Sequence, residues 1–246
     1  MKFVKPLIVS AAIVVPTLLA SVTASAAEVS GNVALTSDYR FRGISQSDGA
    51  PSIQGGFDVA FDSGVYIGTW GASVDFDTNS EIGLNGGIEL DYYIGYGSDI
   101  GDSGVSFDIG YIYYDYPGDE DDADGAVLGD YQEVYGSLSF SDFTVGVSYS
   151  DEYWGETGEI YYFYGSYSIA LPNDFSLDLL VGRVDYDEIG YTLTDSHSHW
   201  VVGISKSFAD LDFSLAYEDT NLSDADVYGY DDWADATLIF SIGKSL

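Results

Sequence analysis

The connections between the predicted strands of this chain alternate in length, and this alternation constrains the fold more than any other feature. Short segments of alternating apolar and polar residues are joined in turn by long polar connections and by tight turns. Residues 97–104 depart from the rule, because this connection is longer than the other turns. An up-and-down antiparallel barrel collects tight turns at one end and long loops at the other, whereas a Greek-key sandwich has no reason to separate them. The long connections are Arg42–Pro51, Asp75–Glu81, Asp115–Asp130, Ser150–Thr157, Asp185–Ser198 and Asp219–Trp233.

The strand segments place apolar and polar side chains on opposite faces. In one of them, Ile88 and Leu90 flank Glu89, which faces the other way. Most segments are about nine to eleven residues long, enough for a tilted strand to cross the hydrocarbon core of a bilayer. The first is predicted to run from Val29 to Phe41. We predict an all-β fold, a transmembrane up-and-down antiparallel β-barrel of about twelve strands.

The first residues have the features of a signal peptide. Lys2 and Lys5 precede an apolar run from Leu7 to Ala20, and Ala24-Ser25-Ala26 offers small residues for cleavage. This pattern predicts a cleaved signal peptide over residues 1–26 and a barrel over residues 27–246. The apolar run is too short for a transmembrane helix. The expected location is the outer membrane of a Gram-negative bacterium, in contact with its lipid and lipopolysaccharide.

The chain is strongly acidic. It has 41 Asp and Glu residues against 7 Lys and Arg residues, a formal net charge of −34. Such a charge repels phosphate backbones, which argues against a nucleic-acid partner. Disorder is the usual alternative for so acidic a chain, but an aromatic content of 16% and strong strand periodicity argue against it. The sequence contains no Cys and therefore no disulfide framework.

A stretch near the N-terminus resembles a known family. The segments Thr36–Ser47, Pro51–Asp58 and Ser63–Gly71 are similar to the TorF family of proteobacterial porins, formerly a domain of unknown function. The resemblance covers roughly residues 30 to 75. It implies an outer-membrane barrel with a pore, and it brings no catalytic or binding residues. The chain departs from the expected pattern at Leu246, where a terminal aromatic residue would be expected.

The polar strand face and the first long connection supply candidate pore residues. Inward carboxylates would produce a negative potential in a low-dielectric wall, which concentrates cations and excludes anions. We therefore expect a porin for passive diffusion of small hydrophilic solutes, with a preference for cations. The alternative is a structural or surface-interaction barrel whose lumen is closed, with carboxylates paired to Arg40 and Arg42. The lumen-lining candidates are Asp38, Arg40, Arg42, Asp58, Glu89, Asp91, Asp108, Asp178, Asp212 and Glu218.

The long connections carry more than half of the acidic residues. Glu120, Asp122 and Asp124 have the spacing of the start of a calcium loop, and hard oxygen ligands suit Ca²⁺. The twelfth position of such a loop is Tyr131 rather than Glu. The favoured alternative is a set of solvated loops that hold divalent cations loosely and bridge to lipopolysaccharide phosphates. No other cofactor is expected.

One segment of the chain has the residue types of a catalytic site. His197-Ser198-His199 contains the residue types of a lipolytic barrel, but neighbouring strand residues point to opposite faces. Ser198 therefore cannot use either His as a base, and we expect no enzyme activity.

Aromatic residues gather at strand ends, where an interfacial girdle is favoured over a sugar-stacking slide. They are Tyr113, Tyr114, Tyr116, Tyr149, Tyr153, Trp154, Tyr161, Tyr162, Trp200 and Trp233.

Overall fold

The computed structural model describes residues 27–76, 87–117, 129–189, 192–230 and 232–246. These residues are mostly strand, with short 3-10 turns at Pro172–Asp174 and Asp224–Val227. In chain order the strands are β1 (Ala27–Thr36), β2 (Arg40–Phe41), β3 (Ile44–Ser45), β4 (Ser52–Phe61), β5 (Val65–Ser73), β6 (Ile88–Asp99), β7 (Val105–Asp115), β8 (Tyr131–Phe140), β9 (Phe143–Ser150), β10 (Ile160–Leu171), β11 (Phe175–Tyr186), β12 (Ser196–Phe208), β13 (Leu211–Thr220) and β14 (Thr237–Ser245).

Twelve of these strands, β1 and β4 to β14, close into one antiparallel barrel. The barrel closes where the first strand pairs with the last. Leu35 of β1 lies opposite Ile53 of β4 on one side and opposite Ile242 of β14 on the other. β2 and β3 form a separate two-stranded hairpin. The prediction of an up-and-down antiparallel barrel with about twelve strands is confirmed.

The two ends of the barrel differ in their connections. Tight turns join the strands at one end, here called the turn end, and the long connections leave from the other, the loop end. Ala209 and Asp210 form a two-residue turn with φ angles of 54° and 59°. This left-handed backbone has the twist that antiparallel strands require of a two-residue connection. Pro172–Asp174 form a three-residue connection, in which Asn173 and Asp174 have φ angles of 63° and 61°.

One predicted connection at the turn end is shorter than expected. β6 continues to Asp99, so the loop to β7 covers residues 100–104, and the prediction that it begins at residue 97 was wrong. Gly97 and Ser98 pair across the sheet with Asp108 and Phe107. Small residues can extend a strand when a partner strand supplies the hydrogen bonds, so their composition alone misled the prediction.

The outward face of the wall is apolar. Phe57 is 62% exposed, Val181 58% and Phe240 50%, and each lies within a barrel strand. The inward residues that alternate with them are mostly polar, small or tyrosine, as the sequence predicted, and they include a few buried aliphatic residues such as Ile112, Ile160 and Ile239. Among the described residues, no helix is long and apolar enough to cross a membrane.

The first strand ends earlier than predicted. β1 stops at Thr36 rather than Phe41, because the chain bends into the barrel after Ser37. Ser37 marks the bend: its N–H donates to the carbonyl of Phe240 at 2.9 Å. Tyr39 and Phe41 continue the apolar parity of β1, but both are buried in the interior instead of facing outward. Residues 37–51, called the infolded loop below, contain the β2–β3 hairpin, and residues 38–47 are all buried.

Two predictions fall on residues outside the described ranges. The predicted signal peptide occupies residues 1–26. The calcium candidates Glu120, Asp122 and Asp124 lie between residues 117 and 129. Both stay predictions.

Candidate pore

The infolded loop crosses the interior of the barrel. It leaves the wall between β1 and β4, and its tip at Arg42 and Gly43 lies against β8, β12 and β13 on the far side. Arg42 and Gly43 have φ angles of 54° and 92°, so they form the tight turn of the hairpin. A Cβ at Gly43 would lie 2.8 Å from Cβ of His199 and 3.2 Å from Cβ of Thr220. Only glycine fits this close approach.

Arg42 is held by a carboxylate and two aromatic rings. Its Nη2 donates to Oε2 of Glu133 at 2.7 Å. Its guanidinium carbon lies 4.4 Å from the ring centroid of Tyr162 and 4.5 Å from that of Phe41. Burial by itself lowers the pKa of Arg42, but Glu133, Tyr153 and Tyr114 together outweigh it and raise the pKa well above its usual range. Arg42 is therefore a buried, permanently charged group inside the barrel.

Arg40 ties the infolded loop to the last long connection, residues 221–236. Its Nε donates to Oδ2 of Asp38 at 2.7 Å. Nη2 and Nη1 donate to the carbonyls of Asp232 and Asp235, each at 2.8 Å. Nε1 of Trp233 in turn donates to Oδ1 of Asp48 at 2.8 Å. The Arg40 guanidinium therefore satisfies two backbone carbonyls of the last long connection, and it links this connection to the infolded loop.

Tyr39 connects the infolded loop to β6. Its hydroxyl donates to Oε1 of Glu89 at 3.0 Å, and its ring meets Trp70 edge to face at 5.6 Å between centroids. Burial raises the pKa of Tyr39, and the carboxylates of Glu89 and Asp91 raise it further. The phenol therefore keeps its proton and acts as a donor to the wall.

Two histidines of β12 face the tip of the hairpin. Nε2 of His197 lies 2.8 Å from the carbonyl of Arg42, and because a carbonyl only accepts, the ring nitrogen carries the proton. Nε2 of His199 lies 3.0 Å from the hydroxyl of Tyr162. The prediction that the long connection before this strand runs to Ser198 was wrong, since β12 already begins at Ser196. Both histidines are buried, and Ser198 between them has the opposite strand parity.

Several aromatic residues assigned to an outer girdle lie inside the barrel instead. Tyr114, Tyr116, Tyr153 and Tyr162 are buried in one aromatic cluster with Tyr39 and Phe41. Tyr161 is 43% exposed and Trp200 38%, so these two do face outward. Adjacent strand residues point to opposite faces, so a Tyr-Tyr pair such as the one at 161–162 contributes one ring to each side.

The barrel interior near the loop end, called the loop half, contains four carboxylates at most 2% exposed: Glu89, Asp91, Glu133 and Glu218. All lie on the wall around the infolded loop. Two of their oxygens have no hydrogen-bond partner: Oε1 of Glu133 and Oε1 of Glu218. Such groups are costly to bury.

The interior near the turn end, called the turn half, holds its carboxylates differently. Each accepts hydrogen bonds from hydroxyl groups of the wall rather than from the infolded loop. The bonds run from Tyr93 to Asp58 at 2.5 Å, from Tyr66 to Asp108 at 2.8 Å, from Ser168 and Ser205 to Asp178 at 2.6 and 2.9 Å, and from Ser207 to Asp212 at 2.5 Å. A cavity of about 60 Å³ lies in this half beside Ser176, Ser205, Asp212 and Ser241.

The sequence-predicted pore residues therefore fall into two groups. Asp38, Arg40 and Arg42 lie on the infolded loop rather than on a barrel strand. The others have inward parity on the wall: Asp58, Glu89, Asp91, Asp108, Asp178, Asp212 and Glu218.

Sequence reasoning missed Glu133, His197 and His199. Glu133 shares strand parity with Tyr131 and Tyr135, so the alternation of β8 was a sufficient signal for it. His197 was assigned to a long connection, whereas His199 was predicted to begin the strand that follows it. Because His199 has the strand parity opposite to Trp200 and Val202, the alternation of β12 was a sufficient signal for it.

The described wall carries no Lys or Arg that faces inward. Arg183 points outward and pairs with Oδ1 of Asp185 at 2.6 Å. Nζ of Lys206 donates to the carbonyl of Asn173 at 2.8 Å, near the turn end, and Lys244 is exposed there too. No group of three or more His, Asp or Glu residues in the described ranges is arranged to hold a metal ion.

The fold is that of porin-like closed barrels. The NanC porin structure in a rhombohedral crystal form is 10% identical, with a TM-score of 0.52 over 88% of this chain and 98% of that chain. The KdgM porin is 9% identical, with a TM-score of 0.53 over 88% of this chain and 97% of that chain. Comparison with curated proteins finds no significant match.

Residues 20–246 match the model of a family described as a bacterial protein of unknown function, Gcw_chp. The chain belongs to this family.

Proposed function

We propose that this protein is an outer-membrane channel of a Gram-negative bacterium, through which small hydrophilic solutes diffuse passively. The closed barrel carries the proposal, because its outward face is apolar and its interior is lined with carboxylates and hydroxyls. A continuous belt of exposed apolar side chains is unfavourable in water and suits lipid. The likeness to the NanC and KdgM porins supports the proposal at the level of fold. The N-terminal resemblance to TorF-family porins agrees with it.

Cation preference is part of the proposal. The inward wall carries Asp and Glu residues, and the inward Arg residues, Arg40 and Arg42, come from the infolded loop, where each is paired with a carboxylate. The remaining carboxylates would attract cations in a low-dielectric lumen. The infolded loop fills much of the loop half, so we expect a small unit conductance.

Planar-bilayer recording of the purified, refolded protein across a KCl gradient tests both parts. We expect discrete conductance steps and a reversal potential with the same sign as the K⁺ equilibrium potential. A folded barrel without steps would contradict the channel function. A reversal potential set by Cl⁻ would contradict only the selectivity.

A second candidate is a structural or surface-interaction barrel with a closed lumen. The observation that favours it is the unbroken burial of residues 38–47 across the interior. The long acidic connections would then be the functional part, binding divalent cations or bridging to lipopolysaccharide phosphates. Calcium titration of the folded barrel, compared with a Glu120→Gln/Asp122→Asn/Asp124→Asn variant, tests this candidate. Equal binding by both proteins would contradict a site at these residues.

We expect no enzyme activity. His197 and His199 use Nε2 in bonds with the infolded loop and with Tyr162, and Ser198 lies between them with the opposite parity. A Ser–His pair needs both groups on one side of the strand. Phospholipid hydrolysis that is lost in a Ser198→Ala variant would contradict this expectation.

A further inference from the structure

We propose that Glu133 and Tyr162 form a binding site for small solutes that carry a guanidinium group, and that Arg42 of the infolded loop occupies this site as an internal ligand. The inference rests on the proposed channel function and names a class of solute for it. It predicts that a solute of this class competes with Arg42 and displaces the tip of the infolded loop.

The wall supplies the two elements that a guanidinium requires. The carboxylate of Glu133 accepts a hydrogen bond from Nη2 of Arg42 at 2.7 Å. The ring of Tyr162 lies 4.4 Å from the guanidinium carbon. A planar cation held against an aromatic face and bonded to a carboxylate gains both a charge-assisted hydrogen bond and a cation–π contact. Both wall residues are almost fully buried, on β8 and β10.

Arg42 uses the site incompletely. Its Nε and Nη1 are buried without a hydrogen-bond partner, and so is Oε1 of Glu133. The pair therefore forms one hydrogen bond, although a guanidinium and a carboxylate can form two parallel ones. The backbone at Arg42, with φ 54°, and the neighbouring Gly43 packed against His199 fix the approach of the side chain. A free guanidinium has no such tether and can turn to engage both oxygens.

The surrounding charge favours a cation. Glu218 lies on the same half of the wall, and its Oε1 lies 3.4 Å from Nδ1 of His199. An anion would have to enter beside the carboxylates of Glu133 and Glu218, which like-charge repulsion opposes.

The test uses the full barrel with an Arg42→Ala substitution, which removes the internal ligand. Guanidinium chloride at millimolar concentration is the probe, with KCl adjusted to keep ionic strength constant. Isothermal titration calorimetry should detect binding to Arg42→Ala at least about tenfold tighter than to the wild type, because Arg42 competes. In planar bilayers the same probe should reduce the K⁺ current of Arg42→Ala several-fold and that of the wild type less.

Two further variants decide whether Glu133 and Tyr162 are the site. Arg42→Ala/Glu133→Gln should bind the probe at least about tenfold more weakly than Arg42→Ala. Arg42→Ala/Tyr162→Leu keeps the carboxylate and should also bind more weakly, and it serves if the first double variant does not fold. Arg183→Ala is the matched control, since it removes an exposed, paired Arg on the outward face.

Equal binding of guanidinium by Arg42→Ala and its double variants would overturn the site, and so would binding by Arg183→Ala as tight as by Arg42→Ala. Binding that depends on Glu133 in a barrel that conducts no ions would leave the site standing and contradict only the channel function. Conductance without guanidinium binding would leave the channel function standing and contradict only the site.

Discussion

Both halves of the barrel interior carry inward carboxylates, but the two halves satisfy them in different ways. In the turn half, hydroxyl groups of the wall donate to Asp58, Asp108, Asp178 and Asp212. In the loop half, Glu89 and Glu133 accept from Tyr39 and Arg42 of the infolded loop, while other carboxylate oxygens are buried without a partner. In the turn half the donors belong to the wall. In the loop half the wall hydroxyl of Tyr114 lies 3.5 Å from Oε2 of Glu133, and the closer donor, Arg42 at 2.7 Å, belongs to the infolded loop.

This difference assigns separate tasks to the two halves of the proposed channel. A carboxylate that is hydrogen-bonded by a hydroxyl and reached by solvent can attract cations without holding them tightly. A carboxylate at most 2% exposed cannot meet a passing ion until something moves. In the proposed channel, the turn half would therefore be the selective vestibule and the infolded loop would be the barrier.

Removing the hairpin should have the largest effect. Replacing residues 39–47 by a short Gly-Ser linker takes out the segment that fills the loop half. We expect the single-channel K⁺ conductance to rise several-fold in planar bilayers, because the wall carboxylates of the loop half become hydrated. An unchanged conductance from a correctly folded variant would mean that the loop is not the barrier.

The second-largest effect concerns stability, and it should differ between the carboxylates of the loop half and those of the turn half. Glu133→Gln leaves Arg42 buried without a counter-charge and should lower the free energy of unfolding by about 3–5 kcal/mol. Asp108→Asn, the matched change in the turn half, weakens a hydroxyl hydrogen bond and should cost about 1 kcal/mol. Urea titration of the refolded barrel in lipid vesicles, monitored by Trp fluorescence, measures both. Equal losses would remove the distinction between the halves.

Selectivity should depend on the turn half. In an Asp58→Asn/Asp108→Asn variant the permeability ratio of K⁺ to Cl⁻ should fall a few-fold, because the vestibule loses two negative charges. Reversal potentials across a KCl gradient report this ratio. Asp185→Asn removes one charge from the outward face near the loop end and serves as the control. A ratio that stays at the wild-type value in both variants would place selectivity elsewhere.

The smallest effect is expected outside the lumen. Arg183 and Asp185 form a 2.6 Å ion pair whose side chains are 53% and 43% exposed. Pairs this accessible contribute about 0–1 kcal/mol, so Arg183→Ala should hardly change the urea midpoint. If Arg183→Ala lowered the free energy of unfolding as much as Glu133→Gln, solvent exposure would not explain the difference between the Arg183–Asp185 and Arg42–Glu133 pairs.

The sequence was sufficient to predict the ring of strands and most of the inward parity. Strand alternation and loop length depend on local residues, so Glu89, Asp91 and Asp178 could be assigned to the inner face without a structure. Glu133 could have been assigned in the same way, since Tyr131 and Tyr135 flank it at the same parity.

The infolded loop could not be predicted from the same alternation. Tyr39 and Phe41 continue the apolar parity of β1, and an apolar residue can pack against lipid or against an aromatic interior with equal benefit. The deciding contacts are on the far wall: Glu89, Glu133 and Tyr162 each lie 50 or more residues in sequence from the loop residue that they contact. Local patterns carry no information about such partners.

Thiol accessibility tests the contrast between the two halves most directly, because the chain contains no Cys. Ser150 lies in the loop half, buried, with a hydroxyl that has no hydrogen-bond partner, and Ser176 lines the cavity of the turn half. Ser150→Cys and Ser176→Cys variants, refolded in lipid, would be treated with a small, water-soluble, charged thiol reagent. We expect rapid modification of Ser176→Cys and slow modification of Ser150→Cys. Equal rates for both variants would contradict the difference between the two halves.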